Sequence, residues 1–206
     1  AGVILTGFFG GLVSSTATTA ALARRSKVHG VNGSSEMLMF LSATCAMLFE
    51  GAALVLTGAK DIHLSILLIF LGPIIATAIM LFLYARKSIE RSTYREDIEF
   101  KILPILKLSI FIIAILLLSK LLQKFFGQYG LVVLTFLVSL FEIHGSVIAN
   151  VQLHESGVIE VSLLGGLIVS SVVASYLSKL FLIATLGSLK LRSQAIKSTL
   201  ILFLSL

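Results

Sequence analysis

The chain has 206 residues, of which 57% are hydrophobic and 13% are charged, whereas soluble domains carry about 25% charged residues. This composition excludes an ordinary soluble domain and indicates a membrane protein. The net charge of +6 does not indicate a nucleic-acid partner, because the basic residues stand at the ends of apolar runs.

Apolar runs recur along the chain, each near the roughly 20 residues that a helix needs to cross a bilayer. They cover residues 2–23, 37–58, 62–85, 103–125, 129–152 and 158–186, and a further run begins near 196. Backbone polar groups in lipid must be bonded within their own segment, so these runs predict helices. The predicted fold class is all-α: a polytopic membrane protein with six to seven transmembrane helices.

Two basic segments orient the predicted crossings. "ARRSK" (23–27) ends the first run, and "ARKSIERSTYREDIEFK" (85–101) joins the third run to the fourth. The positive-inside rule predicts that both are cytoplasmic. Counting crossings from there puts "GSLKLRSQ" (187–194) outside, although it carries Lys190 and Arg192.

The two halves of the sequence resemble each other. Aligning the first run with the fifth pairs three polar positions of each: Ser14, Thr16 and Thr18 with Glu142, His144 and Ser146. Aligning the second run with the sixth pairs Glu50 with Lys179, and the sequence offset of this alignment is one residue longer than that of the first. Because the offsets agree and the polar positions coincide twice, we predict an internal duplication with parallel repeats. Sparse identity leaves chance similarity between apolar segments as the alternative.

The duplication divides the chain into two predicted membrane repeats. The first covers 1–86 and lacks its first helix, 87–101 is a cytoplasmic connector, and 102–206 is the second repeat with a truncated last helix. The sequence begins and stops inside apolar runs, so we expect a piece of a longer chain; the alternative is a short chain with amphipathic ends. Duplicated transporters bind substrate near the midplane, where the repeats meet.

The first run contains a polar segment, "GFFGGLVSSTATTAALARR" (7–25). Gly7 and Gly11 have the spacing that lets two helices pack closely, so a helix interface is one interpretation. The hydroxyl groups that follow exceed what close packing needs, and they favour a binding segment. Four of them belong to the predicted substrate or ion site: Ser14, Ser15, Thr16 and Thr18.

The stretch "SLFEIHGSVIAN" (139–150) places ionisable side chains inside an apolar run. On a regular helix His144 would lie about 200° from Glu142. Either His144 is a neutral histidine on a second interface, or the helix breaks near Gly145 and both groups meet one cavity. We favour the break, because irregular backbone is tolerated where it lines a cavity. The predicted site therefore also includes four residues of this run: Glu142, His144, Ser146 and Asn150.

Glu50 and Lys179 take equivalent places in the second and sixth runs. A Lys or Asp at the centre of a membrane helix costs about 2.5–3.5 kcal/mol on insertion scales, so such residues are paired or functional. We predict an intramembrane ion pair between Glu50 and Lys179. The alternative is that either side chain extends to a membrane interface.

The chain contains the residue types of a nucleophilic triad, but nothing marks a strained nucleophile turn or an oxyanion hole. The four histidines are scattered and show no metal-ligand spacing. No nucleotide-binding fingerprint occurs either. We therefore expect no enzymatic activity, no metal and no cofactor.

Three segments carry a resemblance to a known family: "GFFGGLVSSTATTAALARRSK" (7–27), residues 99–151, and "ASYLSKLFLIATLGS" (174–188). They are similar to the integral-membrane domain of unknown function that follows an MgtC/SapB-type module in bacterial membrane proteins. The resemblance implies a multi-pass protein of the bacterial inner membrane, with a further crossing and an N-terminal module before Ala1. The family usually has two aspartates where this chain has Glu142 and His144, and an arginine where it has Glu50.

These features predict a transporter or channel-like module for a small ion or polar solute, with proton coupling through Glu142 and His144. The alternative is a non-transporting sensor or assembly module that regulates a partner. Expected partners are the lipid bilayer, the transported ion or solute, and either a second copy of the chain or a partner membrane module. No nucleic acid is expected.

Overall fold

The computed structural model describes residues 2–28, 34–59, 64–87 and 127–206. Within these ranges the chain forms seven helices and no strand: α1 (Gly2–Val28), α2 (Ser34–Gly58), α3 (Leu64–Lys87), α4 (Gly127–Ser139), α5 (Ile143–Glu155), α6 (Val161–Leu186) and α7 (Leu189–Leu204). The prediction of an all-helical fold is confirmed. The run 103–125 and all but the first residue of the connector 87–101 lie outside the described residues.

Four of the helices, α1, α2, α3 and α6, are long and apolar enough to cross a membrane. They match four of the predicted runs, with ends shifted by a few residues. With 25 residues, α2 is about 37 Å long, which exceeds the roughly 30 Å of the hydrocarbon core. The chain is therefore a helical membrane protein.

The described residues divide into two compact units, and three helices contribute to both. The first unit contains α1, α2 up to Glu50, α3 from Phe70, α6 from Tyr176, and α7. The second unit contains the remaining parts of α2, α3 and α6, together with α4 and α5. The repeats 1–86 and 102–206 divide the chain on a different principle, sequence similarity, and stay a prediction.

In the first unit α1 packs against α2 at backbone distance. A β-carbon built on Gly11 would lie 2.6 Å from Cα and 2.7 Å from the carbonyl oxygen of Ala43. One built on Gly7 would lie 2.8 Å from Cα of Met39. Real β-carbons essentially never approach other atoms within 3.0 Å, so only glycine fits at these two positions. The GxxxG spacing therefore forms a helix contact inside the chain.

The C-terminal end of α1 meets the turn between α6 and α7 in the same unit. The backbone N–H of Ser188 donates to Oγ of the buried Ser26 at 2.9 Å. The basic segments 23–27 and 187–194 therefore lie together, whereas the count of crossings puts them on opposite membrane faces. That count depends on the run 103–125, which lies outside the described residues, and on a single crossing at 129–152.

The last helix, α7, begins at Leu189 and not near 196, where the apolar run starts. Ser188 caps it, because its hydroxyl accepts the N–H of Leu191 at 3.4 Å. Lys190 and Arg192 lower the hydropathy of the first turns, although Leu191 in the same turn is buried.

Candidate functional site

The predicted crossing 129–152 is interrupted. α4 ends at Ser139, α5 begins at Ile143, and Glu142 between them has an extended backbone with φ −146° and ψ 98°. The sequence predicts a break near Gly145. The break lies three residues before this glycine, which belongs to the first turn of α5. The break falls at the residue whose side chain can cap the next helix, and that property is independent of glycine's backbone freedom.

Glu142 and His144 come together at this break. Oε1 of Glu142 accepts the backbone N–H of His144 at 3.1 Å, and Nδ1 of the His144 ring lies 3.3 Å from the same oxygen. The His144 side chain is 12% exposed and that of Glu142 is 30% exposed. A carboxylate at a helix N-terminus satisfies a free amide and interacts favourably with the helix dipole. The break thus joins two groups that a regular helix would direct to different sides.

α1 contains a second break, at Ser14. Its backbone leaves the helical region with φ −167° and ψ 103°, and its Oγ accepts the N–H of Ala17 at 3.2 Å. Ser14 therefore caps the second half of α1. One residue later the carbonyl of Ser15 accepts the hydroxyl of Thr19 at 2.7 Å. The first span is thus also a discontinuous helix.

The two breaks fall at positions that the sequence comparison pairs, because the alignment of the two halves places Ser14 on Glu142. Both residues have extended backbone, and the side chain of each accepts an N–H two or three residues further on. The caps differ in charge: Ser14 offers a neutral hydroxyl, and Glu142 offers a carboxylate. Each break creates the N-terminal end of a half-helix, which carries partial positive charge.

A buried polar cluster extends along α5 in the second unit. Oγ of Ser146 lies 3.3 Å from Oγ of Ser171 on α6, and Oδ1 of Asn150 accepts the hydroxyl of Thr135 on α4 at 3.2 Å. All four side chains are buried. Within the described ranges, Nδ2 of Asn150 and Oγ of the buried Ser139 have no hydrogen-bond partner. Leaving a buried polar group without a partner costs about 1–3 kcal/mol of folding free energy. A polar ligand or a water molecule could pair with these two groups.

Thr135 and Ser171 are absent from the predicted site. Thr135 precedes Ser139 by four residues, so both lie on one face of α4. On α6 a similar spacing of four gives a buried stripe: Ser171, Ser175 and Lys179. This periodic polar signal is present in the sequence and identifies both residues.

The predicted site residues divide between the two units. Ser15 and Thr18 are buried and Ser14 and Thr16 are half-buried, all in the first unit. Glu142, His144, Ser146 and Asn150 belong to the second unit. The grouping of these eight residues in one site stays a prediction. Within the described ranges, no group of three or more His, Cys, Asp or Glu could hold a metal ion.

Lys179 is fully buried in the first unit, at 0% exposure. Its Nζ lies 2.9 Å from Sδ of Met47 on α2, and a thioether is a weak acceptor for an ammonium group. Met47 precedes Glu50 by three residues, so both occupy neighbouring turns of α2. Lys179 is thus enclosed by protein, and both its predicted ion pair with Glu50 and the alternative of an interfacial side chain stay predictions.

A family model described as Domain of unknown function (DUF4010) matches residues 1–187. The matched region includes both breaks as well as Glu50 and Lys179, and it ends two residues before α7 begins. No curated protein and no solved structure matches the chain.

Proposed function

The chain belongs to the DUF4010 family, and we propose that it is a transporter or channel-like membrane module for a small ion or polar solute. One observation carries the proposal: the spanning helix α1 breaks at Ser14, the predicted crossing 129–152 breaks at Glu142, and each of these residues caps the half-helix that follows. Discontinuous helices of this kind form the substrate sites of many transporters, near the middle of the membrane. No enzymatic step is part of the proposal.

The breaks need an explanation because they are costly in hydrocarbon. Lipid offers no partner to an unwound backbone, so irregular segments persist at this depth only inside protein or beside a water-filled cavity. A continuous helix would bond these amide groups within the segment itself. We therefore assign the two breaks to ligand binding.

Glu142 and His144 supply the chemistry for proton coupling. Imidazole is the side chain that changes charge between about pH 5 and pH 8, and the carboxylate oxygen 3.3 Å away accepts a hydrogen bond from its protonated form. A solute or cation that competes for this oxygen would release the imidazole. Proton movement and solute binding would then be linked at one atom.

In the second unit, the buried polar cluster along α5 extends the proposed binding site away from Glu142. Asn150 lies eight residues after Glu142, which is about 12 Å along a helix. Ser146 lies halfway between them, and the free donors of Asn150 and Ser139 suit a ligand that carries oxygen acceptors. This arrangement favours a polar solute or a hydrated ion over an apolar one.

The resemblance to the domain that follows an MgtC/SapB-type module supports a finer proposal. We place the protein in the bacterial inner membrane, beside such a module or a second copy of itself. The main alternative is a sensor or assembly module that transports nothing. Its best sequence support is the GxxxG spacing, but Gly7 and Gly11 contact α2 within the chain and are not available to a partner helix.

Proton flux into proteoliposomes that contain a pH-sensitive dye tests the proposal. We expect the wild-type protein to conduct protons in a solute-dependent way and Glu142→Gln to abolish that flux. Glu160→Gln, which removes an exposed carboxylate just before α6, is the matched control and retains the flux. Equal flux in wild type and Glu142→Gln, or no flux with any of the ions and polar solutes supplied, would contradict the proposal.

Thiol labelling distinguishes transport from the sensor alternative. Cys45 is the chain's one cysteine, and in a Cys45→Ala background we expect Ser146→Cys to react with a water-soluble thiol reagent, because a solute path must contain water. Ala149→Cys places a thiol at a buried apolar position of the same helix and should stay unreactive. If neither thiol reacts, no water reaches α5 and the sensor alternative is favoured.

A further inference from the structure

Five basic residues lie within four sequence positions of the two serines that form one hydrogen bond in the first unit. The bond between Ser188 N–H and Ser26 Oγ, 2.9 Å long, joins the last turn of α1 to the first turn of α7. We call these five residues the basic end: Arg24, Arg25, Lys27, Lys190 and Arg192. They belong to separate parts of the sequence, and the hydrogen bond brings the two segments that carry them together.

The basic end is not explained by helix stability. Cations in the last turn of α1 complement its dipole, but Lys190 and Arg192 stand in the first turn of α7, where the dipole disfavours positive charge. That turn contains no acidic residue. Arg24, Lys27 and Lys190 are exposed, and none of them makes an ion pair with another residue of the described part of the chain. An anion from outside the chain would relieve this repulsion.

An exposed apolar face adjoins the basic end along α7. Leu189, Ile196 and Leu200 are 81%, 48% and 56% exposed, and their positions lie within about 40° of one another on a helix. A free phosphate ion would contact only the cations. A phospholipid would contact both, with its head group at the cations and its acyl chains along α7.

We infer that the basic end binds the head group of an anionic phospholipid. Basic groups at the ends of membrane helices attract such lipids, each Lys or Arg adding to the affinity. The inference is independent of the proposed transport, because it uses neither break. Its failure would leave the transport proposal unchanged.

The test is a titration of the detergent-purified protein with phosphatidylglycerol, phosphatidylcholine or inorganic phosphate. Bound lipid is counted by native mass spectrometry and the melting temperature is recorded. We expect binding and stabilisation with phosphatidylglycerol only. In the triple variant Arg24→Gln, Lys27→Gln, Lys190→Gln the apparent affinity should fall about a hundredfold at low salt, from the loss of three cations.

Two controls make the result specific. Lys197→Gln removes an exposed cation of α7 that lies about 10 Å from Lys190 along the helix, and it should retain the affinity. The charge-preserving variant Arg24→Lys, Lys27→Arg, Lys190→Arg should also bind, and binding should weaken at high salt. An equal response to phosphatidylcholine, a response to inorganic phosphate alone, or unchanged affinity in the triple glutamine variant would overturn the inference.

Discussion

One oxygen atom of Glu142 contacts both the backbone and the side chain of His144. Oε1 lies 3.1 Å from the His144 amide nitrogen and 3.3 Å from its ring Nδ1. The first contact caps α5 and needs only an acceptor, whereas the second depends on charge. The two roles of Glu142 can therefore be separated by substitution. Serine is the suitable replacement, because Ser14 caps the second half of α1 with an uncharged acceptor.

Glu142→Ser keeps an acceptor at the cap and removes the carboxylate. We expect its thermal stability in detergent to stay close to that of wild type, whereas Glu142→Ala should lose about 1 kcal/mol, the usual cost of a lost N-cap. Both variants should lose proton-coupled flux in proteoliposomes. If Glu142→Ser is as unstable as Glu142→Ala, the cap is not the main structural role of Glu142.

Gly11→Ala should destabilise the contact between α1 and α2. The new methyl group would lie 2.6 Å from Cα of Ala43, so the two helices must separate. We expect a loss of about 1–3 kcal/mol, as for overpacked cores. Gly166→Ala is the matched control: it lies inside α6 with no atom within 4 Å of the new methyl group, and it should gain up to about 1 kcal/mol from helix propensity. Equal effects of the two substitutions would refute the close contact.

A double-mutant cycle on Glu50→Gln and Lys179→Met measures whether these two residues interact. Removing one member of a buried ion pair leaves the other charge uncompensated, so each single variant should be clearly destabilised. The double variant should be more stable than the sum predicts, by about 0.5–3 kcal/mol. Lys197→Met, at an exposed position of α7, provides the control and should change little. Strict additivity would mean that Glu50 and Lys179 are not coupled.

Cysteines placed at Lys27 and Lys190 should be labelled from the same side of the membrane. The hydrogen bond between Ser26 and Ser188 requires this result, because it joins the segments that carry the two positions. Right-side-out and inverted vesicles of the Cys45→Ala background, treated with an impermeant maleimide, give the answer. Labelling from opposite sides would support the count of crossings from the sequence.

The helices that cross the membrane were predictable because a single physical requirement sets them. A segment in hydrocarbon must be apolar over about 20 residues, and composition alone reveals such runs. The polar positions Ser14 and Glu142 were also visible, because they coincide when the two halves of the sequence are aligned. Their meaning as helix caps was not, because a capping side chain looks like any other polar residue until the backbone is known.

Other features required three-dimensional contacts. The hydrogen bond of Thr135 to Asn150 depends on how α4 folds back against α5 at the break. No local sequence pattern gives the angle between these two helices. The start of α7 was hidden because Lys190 and Arg192 reduce its hydropathy. The break was expected near Gly145 because glycine is flexible; it occurs three residues earlier, at Glu142, where a side chain can accept a free amide N–H.

The contrast between the caps of the two discontinuous helices determines how acid would affect them. A serine hydroxyl keeps its proton throughout the physiological range, whereas a carboxylate can be neutralised and then becomes a weaker acceptor. Acidification would therefore loosen the start of α5 and leave the second half of α1 fixed. We therefore expect a change of pH to alter the helix that Glu142 caps and to leave the helix that Ser14 caps unchanged.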